Sequence, residues 1–168
     1  MTTDFRFCPR CGGALATKRL DDRDRLVCRA CGFVFYQNPV PAVGVILVED
    51  GRVLLVKRKF DPRKGGWTLP AGFVEIGERI EDCAVREMKE ETNLDVKITA
   101  LFNAYSAQDD PRTKVVLILY TGKRTGGELK AGDDAEEACF FPVDELPAPI
   151  AFQAHVQALA DLKKRLSR

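Results

Sequence analysis

Residues 72–94 read Gly72-Phe73-Val74-Glu75-Ile76-Gly77-Glu78-Arg79-Ile80-Glu81-Asp82-Cys83-Ala84-Val85-Arg86-Glu87-Met88-Lys89-Glu90-Glu91-Thr92-Asn93-Leu94. Positions 79–92 suit a helix, because Ile80, Ala84 and Met88 recur every fourth residue as an apolar stripe and Cys83 widens it. Asn93 can end that helix in the left-handed conformation. Glu87 and Glu91 lie four residues apart, and Glu90 three from Glu87, so all three carboxylates can point at one spot beside the helix. Clustered carboxylates repel one another unless a cation sits among them. Hard oxygen donors favour Mg²⁺ or Mn²⁺, particularly when substrate phosphates complete the shell. Arg86, four residues before Glu90, can hold that carboxylate in a charge-assisted pair. The loop from Pro70 to Gly77, which includes Gly72, can bring a backbone carbonyl to the metal. For the Arg-Glu-Met-Lys-Glu-Glu run alone, the alternative is a solvated helix face with ordinary i,i+4 pairs.

The full spacing resembles the Nudix box: a glycine, five residues, a glutamate, seven residues, then Arg-Glu-aliphatic-any-Glu-Glu-any-Gly-aliphatic. Gly72, Glu78, Arg86, Glu87, Met88, Glu90, Glu91 and Leu94 match it. Asn93 departs from it, standing where the family has glycine. Asn is the next-best residue at a left-handed cap, so the fold should be little perturbed. The Leu69-Pro70-Ala71-Gly72 lead-in and the Phe141-Pro142-Val143-Asp144-Glu145-Leu146-Pro147 segment also look like Nudix domains. The resemblance implies an α/β (α+β) fold, a mixed sheet sandwiched between helices. It implies hydrolysis of a nucleoside diphosphate linked to another group X. Metal ions held by Glu87, Glu90, Glu91 and Gly72 would neutralise the pyrophosphate and activate a water, with one carboxylate as base. Glu78 supports the loop or a metal. Some family members use a further glutamate outside the box, a role open here to Glu136 or Glu137. Arg58 is a candidate phosphate contact. Trp67 is a candidate for stacking on a base, with a place in the core as its alternative.

Six cysteines stand at 8, 11, 28, 31, 83 and 139. Cys8-Pro9-Arg10-Cys11 and Cys28-Arg29-Ala30-Cys31 are two CxxC pairs with the separation of a four-thiolate zinc site. Gly12 and Gly32 follow the two turns, where positive φ is needed. Leu15 and neighbours and Leu26-Val27 are expected as short strands around an acidic turn, Asp21-Asp22-Arg23-Asp24. This is a zinc ribbon. Two disulfides are the alternative, but nothing in the sequence suggests export. A closed four-cysteine site is structural, folding about thirty residues too few to hold a core alone. Cys83 and Cys139 read as small buried hydrophobes.

Further along, Ala42–Val48 reads as a buried strand, Asp50-Gly51 as a hairpin turn and Val53–Arg58 as the returning strand. Strands are also expected around 96–105 and 115–120, with another ending near Cys139–Pro142. Phe152, Val156, Leu159, Leu162 and Leu166 recur at helical spacing in the tail, and His155, on this helix, reads as a structural or surface histidine. The expected domains are a zinc ribbon at 1–38 and a Nudix hydrolase domain at 39–168.

Composition narrows the function classes. Among 168 residues, 45% are hydrophobic, enough for a core and too many for global disorder. The longest apolar run, Val43–Val48, is too short to span a bilayer, and the N-terminus does not read as a signal peptide. A cytoplasmic protein with no membrane partner is therefore expected. The single histidine makes Ser-His or Cys-His catalysis doubtful and excludes multi-His metal sites, leaving acid–base work to carboxylates. A net charge of +1 is a poor basis for charge-driven nucleic-acid binding. The ribbon alone, with seven basic and four acidic residues, reaches only +3.

A zinc ribbon ahead of a Nudix domain is similar to NADH pyrophosphatases, but their Ser-Gln-Pro-Trp-Pro-Phe-Pro type segment is absent. The corresponding stretch reads Asn103-Ala104-Tyr105-Ser106-Ala107-Gln108-Asp109-Asp110-Pro111. The layout more closely resembles short zinc-ribbon Nudix proteins, including plant FAD pyrophosphatases. These share the Tyr-Gln-Asn-Pro linker, the Trp-Thr-Leu-Pro-Ala-Gly lead-in and an Ala-Phe pair like Ala151-Phe152. The resemblance implies a small-molecule nucleotide substrate, FAD or ADP-ribose first, then NADH, the NAD cap of RNA, or nucleoside triphosphates. Its rival is a Nudix module that binds nucleotide or RNA without hydrolysis. The ribbon is expected to cover the pocket, dock a partner or build a homodimer.

Overall fold

Strands β1 (Leu15–Leu20) and β2 (Arg23–Cys28) pair antiparallel from Leu15↔Cys28 to Leu20↔Arg23 in a computed structural model that describes residues 5–167. Their turn is Asp21-Asp22, with Asp21 at φ 52°. It is shorter than the four-residue acidic turn read from sequence, because Arg23 and Asp24 continue the ladder. Strand β3 (Val34–Phe35) adds to β2. Among the described residues before Pro39, only Cys8 and Cys28 are buried. The ribbon therefore has no apolar core, and its tertiary stability has to come from the cysteines.

The chain divides into two compact units, Met1–Asn38 and Pro39–Arg168. The second contains β4 (Val40–Glu49), β5 (Arg52–Arg58), β6 (Trp67–Thr68), β7 (Ala71–Phe73), α1 (Ile80–Thr92), β8 (Leu94–Ala107), β9 (Val115–Gly127), β10 (Ala135–Pro142) and α2 (Gln153–Leu166). Asp50 and Gly51, at φ 48° and 73°, make the tight turn between β4 and β5 that Asp-Gly favours. The sheet runs β10-β5-β4-β9-β8, with β6 on β5 and β7 on β4. The β4–β9 pair is parallel and the other pairs are antiparallel, so the sheet is mixed.

Strand β4 is apolar and buried from Ala42 to Leu47 because both of its faces are covered there. Val43, Val45 and Leu47 pack with Cys83, Ala84 and Met88 of α1. Ala42 and Ile46 pack with Ala154, Ala158, Leu159 and Leu162 of α2. The result is the expected sheet between helices.

The tail helix is present, but its buried face is rotated from the expected one. Ala154, His155, Ala158, Leu159 and Leu162 are buried, whereas Val156 and Leu166 are exposed. Small alanines let α2 approach the sheet closely, and counting large apolar residues missed them. Its N-terminus is capped from another segment, where Gln153 N–H donates to Asp109 Oδ2 at 3.0 Å. Leu159→Ala should therefore cost about 2–5 kcal/mol of unfolding free energy, and Val156→Ala no more than about 0.5 kcal/mol. Urea titrations of both variants check this rotation.

Candidate active site

Helix α1 stops where Asn93 takes φ 58° and ψ 12°, its N–H donating to Lys89 O at 2.8 Å. The asparagine does what the family's glycine would do. It also ties its Nδ2 to Glu128 O at 2.9 Å.

Arg86 organises the acids. Its Nε and NH2 donate to Glu78 at 2.8 and 3.0 Å, and its NH1 donates to Glu87 at 2.7 Å and Glu90 at 2.8 Å. NH2 also reaches Phe73 O at 3.3 Å. These bonds hold the Glu78 carboxyl down to about 2. Glu87 is pushed up by burial against the pull of Arg86. Glu91 is the most enclosed of the acids. Burial first, and then the charge of Glu87, push it up to about 8, although it accepts the Ala71 N–H at 3.0 Å.

Strand β7 is seated directly on this helix. A Cβ on Gly72 would stand 2.1 Å from the Glu87 carboxylate, so any larger residue there would displace that side chain from its place. The Pro70–Gly77 stretch is thus part strand rather than all loop.

Two of the three glutamates, Glu87 and Glu90, meet at one nitrogen of Arg86, and the third, Glu91, is held on the strand side by the Ala71 N–H. Each still keeps one carboxylate oxygen without a hydrogen bond among the described residues: Glu87 Oε2, Glu90 Oε1 and Glu91 Oε1. Four carboxylates, Glu78 included, stand against one guanidinium. Hard, free, under-compensated oxygens are the donor set a divalent cation such as Mg²⁺ or Mn²⁺ takes.

Ala71 and Gly72 also line a cleft that is partly open to solvent. Arg58 and Phe152 stand in its wall, with the guanidinium 5.3 Å from the ring centroid. Arg58 is half-buried, and burial and nearby Arg112 pull its pKa down. Its Nε is fixed on Pro62 O at 2.9 Å, leaving its terminal amino groups for an anion. Arg112 is held by buried Asp110 through Nε at 3.2 Å and NH2 at 2.9 Å.

Trp67 takes the core place that was its alternative reading, and Glu137 stands on the β10–β5 ladder. Trp67 is buried in the core, its ring edge-on to Phe141 at 4.8 Å, and it does not line the cavity. Glu137 faces Lys57 across the β10–β5 ladder, 2.7 Å away in an exposed ion pair. Glu136 is felt by the same lysine. The acid that the fold brings toward Glu91 from outside α1 is Asp134, which raises the Glu91 pKa and stabilises the charge on Arg58. Its loop is drawn in by Gly132 N–H on Glu91 O at 3.1 Å. Phe73, Asp110, Arg112, Phe152 and His155 also belong to the site. Of these, the Ala151-Phe152 pair alone carried a sequence signal.

In the ribbon, all four cysteine sulfurs lie within 4.8 Å of one another, and the closest separations are 3.3, 3.5 and 3.8 Å. A zinc ion with bonds of about 2.3 Å in a tetrahedron needs sulfurs about 3.8 Å apart. Arg10 N–H donates to Cys8 Sγ and Cys31 N–H to Cys28 Sγ, at 3.4 and 3.5 Å, as thiolates require. Gly12 and Gly32 both adopt φ 72° and close matching turns. The donors fit Zn²⁺. Chelating it should abolish amide-exchange protection across residues 8–35, with one zinc released per chain.

These features have counterparts among known proteins. The NUDIX domain model matches residues 38–162, and the Nudix N-terminal model, a zinc ribbon, matches residues 6–37. The chain belongs to the Nudix family. It is 50% identical over 113 residues to an ADP-ribose pyrophosphatase of Methanocaldococcus jannaschii, covering 67% of each protein. It is 32% identical over 172 residues to a NAD-capped RNA hydrolase NudC of Vibrio atlanticus, covering 98% of this chain and 61% of that protein. A NUDIX hydrolase structure from Nitrosomonas europaea superposes with TM-score 0.84 at 34% identity, covering 97% of this chain and 93% of that one. The chain spans less than two thirds of the length of the NudC relatives it matches. Among the described residues, no helix is long and apolar enough to cross a membrane.

His155 gives the unit an acid-sensitive element. Burial and nearby Arg58 lower its pKa from 6.5 to about 4, against the opposing charge of Asp109. The unfolded chain takes up a proton near pH 6.5 and the folded one does not. Stability is therefore fully present above about pH 6.5 and falls by about 3 kcal/mol in total as pH drops to 4. His155→Asn should lose that share of the slope, read by urea unfolding at pH 7 and 4.5.

Proposed function

We propose that residues 39–168 form a metal-dependent pyrophosphohydrolase that cleaves the diphosphate of a nucleoside diphosphate linked to X, and that residues 1–38 are its zinc-folded ribbon. ADP-ribose is the favoured substrate, in keeping with the half-identical relative from M. jannaschii, and FAD and other ADP-X compounds follow. The observation that carries the reading is the meeting of two features at Ala71-Gly72: a line of glutamates with free oxygens on one side and a mostly apolar cavity on the other. One side suits the charge of a pyrophosphate and the other suits a flat base.

Glu87, Glu90 and Glu91 would hold Mg²⁺ or Mn²⁺, with Gly72 offering its backbone carbonyl. When bound, such ions neutralise phosphate charge and lower the pKa of an attacking water. Arg86 fixes the orientation of Glu87 and Glu90 and ties them to β7 through Phe73. Arg58 places its free amino groups between cavity and acids, where they can bind the phosphate next to the base. A cation beside Glu91 would favour its ionised form, and in that form it could take a proton from water.

AMP release from ADP-ribose, FAD, NADH, NAD-capped RNA and nucleoside triphosphates, with Mg²⁺ or Mn²⁺, tests the proposal. Cleavage of an ADP-X compound is expected, with Glu91→Gln lowering kcat by about 10²–10⁴-fold while the fold is kept. Silence across the panel from a folded, zinc-loaded protein would turn the reading to a nucleotide-binding module.

A further inference from the structure

We infer that the Nε2–H of His155 is a specificity-determining donor that reads a ring-nitrogen acceptor on the edge of an adenine seated in the cavity. The inference rests on the hydrolase reading for the class of ligand and on the local geometry for the role of the histidine. Leu69 N–H points at His155 Nδ1, 3.1 Å away. A backbone N–H can only donate, so Nδ1 accepts, and the ring of the neutral histidine carries its proton on Nε2. The low pKa of this buried ring agrees with a neutral imidazole.

His155 is 7% exposed and stands in the cavity wall. Among the described residues Nε2–H meets no acceptor on the protein. Asp109, the nearby acid, commits Oδ2 to the start of α2, and its buried Oδ1 has no hydrogen-bond partner, so it takes no bond from Nε2. A buried neutral donor left open to a cavity is matched by an acceptor on whatever fills it.

The remaining walls indicate which acceptor. Ala42, Ala107, Val115 and Leu117 make apolar faces, and Phe73 and Phe152 supply rings. A flat heteroaromatic ring buries its faces and presents a lone pair at its edge. Asp110 ties Arg112 through two of its three guanidinium nitrogens, which leaves His155 as the neutral ring donor in the wall. A neutral donor also reads a neutral ring nitrogen without carrying a charge into an apolar site.

The test titrates AMP and its 1-, 3- and 7-deaza analogues against the full, zinc-loaded chain by calorimetry. One analogue should bind the wild-type protein about tenfold more weakly than AMP, the loss of one neutral hydrogen bond. His155→Asn keeps an acceptor for Leu69 N–H but is too short to replace Nε2. It should bind AMP about tenfold more weakly and no longer distinguish the deaza analogue. His155→Gln reaches the Nε2 position and should keep the discrimination. The inference is overturned if all three analogues bind the wild type like AMP, or if the deficit persists in His155→Asn. Should His155→Asn fail to fold, the analogue series on wild type together with His155→Gln still decides. Hydrolysis of ADP-ribose without AMP binding would overturn this inference and leave the hydrolase reading standing. The deaza pattern without hydrolysis would do the reverse.

Discussion

Strand β7 lies between β4 and α1 with no room for a side chain at either contact. A Cβ on Gly44 would sit 2.3 Å from Pro70 O, and one on Gly72 would sit 2.1 Å from the Glu87 carboxylate. The close approach aligns Ala71 N–H with Glu91 and Phe73 O with Arg86, so the strand backbone, rather than a loop side chain, sets where the acids stand. It also makes Ala71, Gly72 and Phe73 the shared wall between the carboxylates and the cavity. A larger residue at Gly44 would pry β7 from β4, and one at Gly72 would push the Glu87 carboxylate aside.

Arg86 shows why the helix tolerates so many acids. Its guanidinium meets three carboxylates and one carbonyl, and the planar fork of donors makes that possible where an ammonium would not. The arrangement leaves negative charge in excess and Glu91 without a cationic partner in contact, which burial makes costly. Such an uncompensated carboxylate reduces stability in the free protein and is an asset when a cation and a phosphate arrive. Function and stability pull in opposite directions here, as they do at pre-organised sites generally.

What the sequence revealed was what is encoded locally. The α1 stripe, the Asp-Gly turn, the long strands β4, β5, β8 and β9 and the paired CxxC turns each depend on residues a few positions apart, and each was readable, whereas the short strands β6 and β7 were not. Asn93 departs from the box yet takes the left-handed conformation because backbone geometry, not the identity of glycine, is the requirement. The cavity was not readable, because Arg58, Phe73, Asp110, Arg112, Phe152 and His155 come from separate segments that meet only when the sheet closes. Trp67 looked like a base-stacking residue because aromatic rings serve binding and packing equally well. Its neighbour Phe141 lies far along the chain, on β10. Glu137 looked like the outlying acid because it lies near the right place in sequence. The alternation of β10 gives that residue to Lys57, and the preceding loop brings Asp134 in instead.

His155 joins these levels. It is on α2, the helix whose buried face the large apolar residues misplaced, and its ring reaches across to the backbone just ahead of β7. Leu69 N–H donates to it, and two residues later Ala71 N–H donates to Glu91, so a single run of backbone spans from the cavity-lining histidine to the buried acid. The two ring nitrogens therefore have separable jobs. Nδ1 anchors the segment that positions Glu91, and its loss would be felt in the chemical step. Nε2 faces the cavity, and its loss would be felt in binding. A residue with one nitrogen tied to the scaffold and one open to the ligand fixes the tautomer by structure rather than by pH.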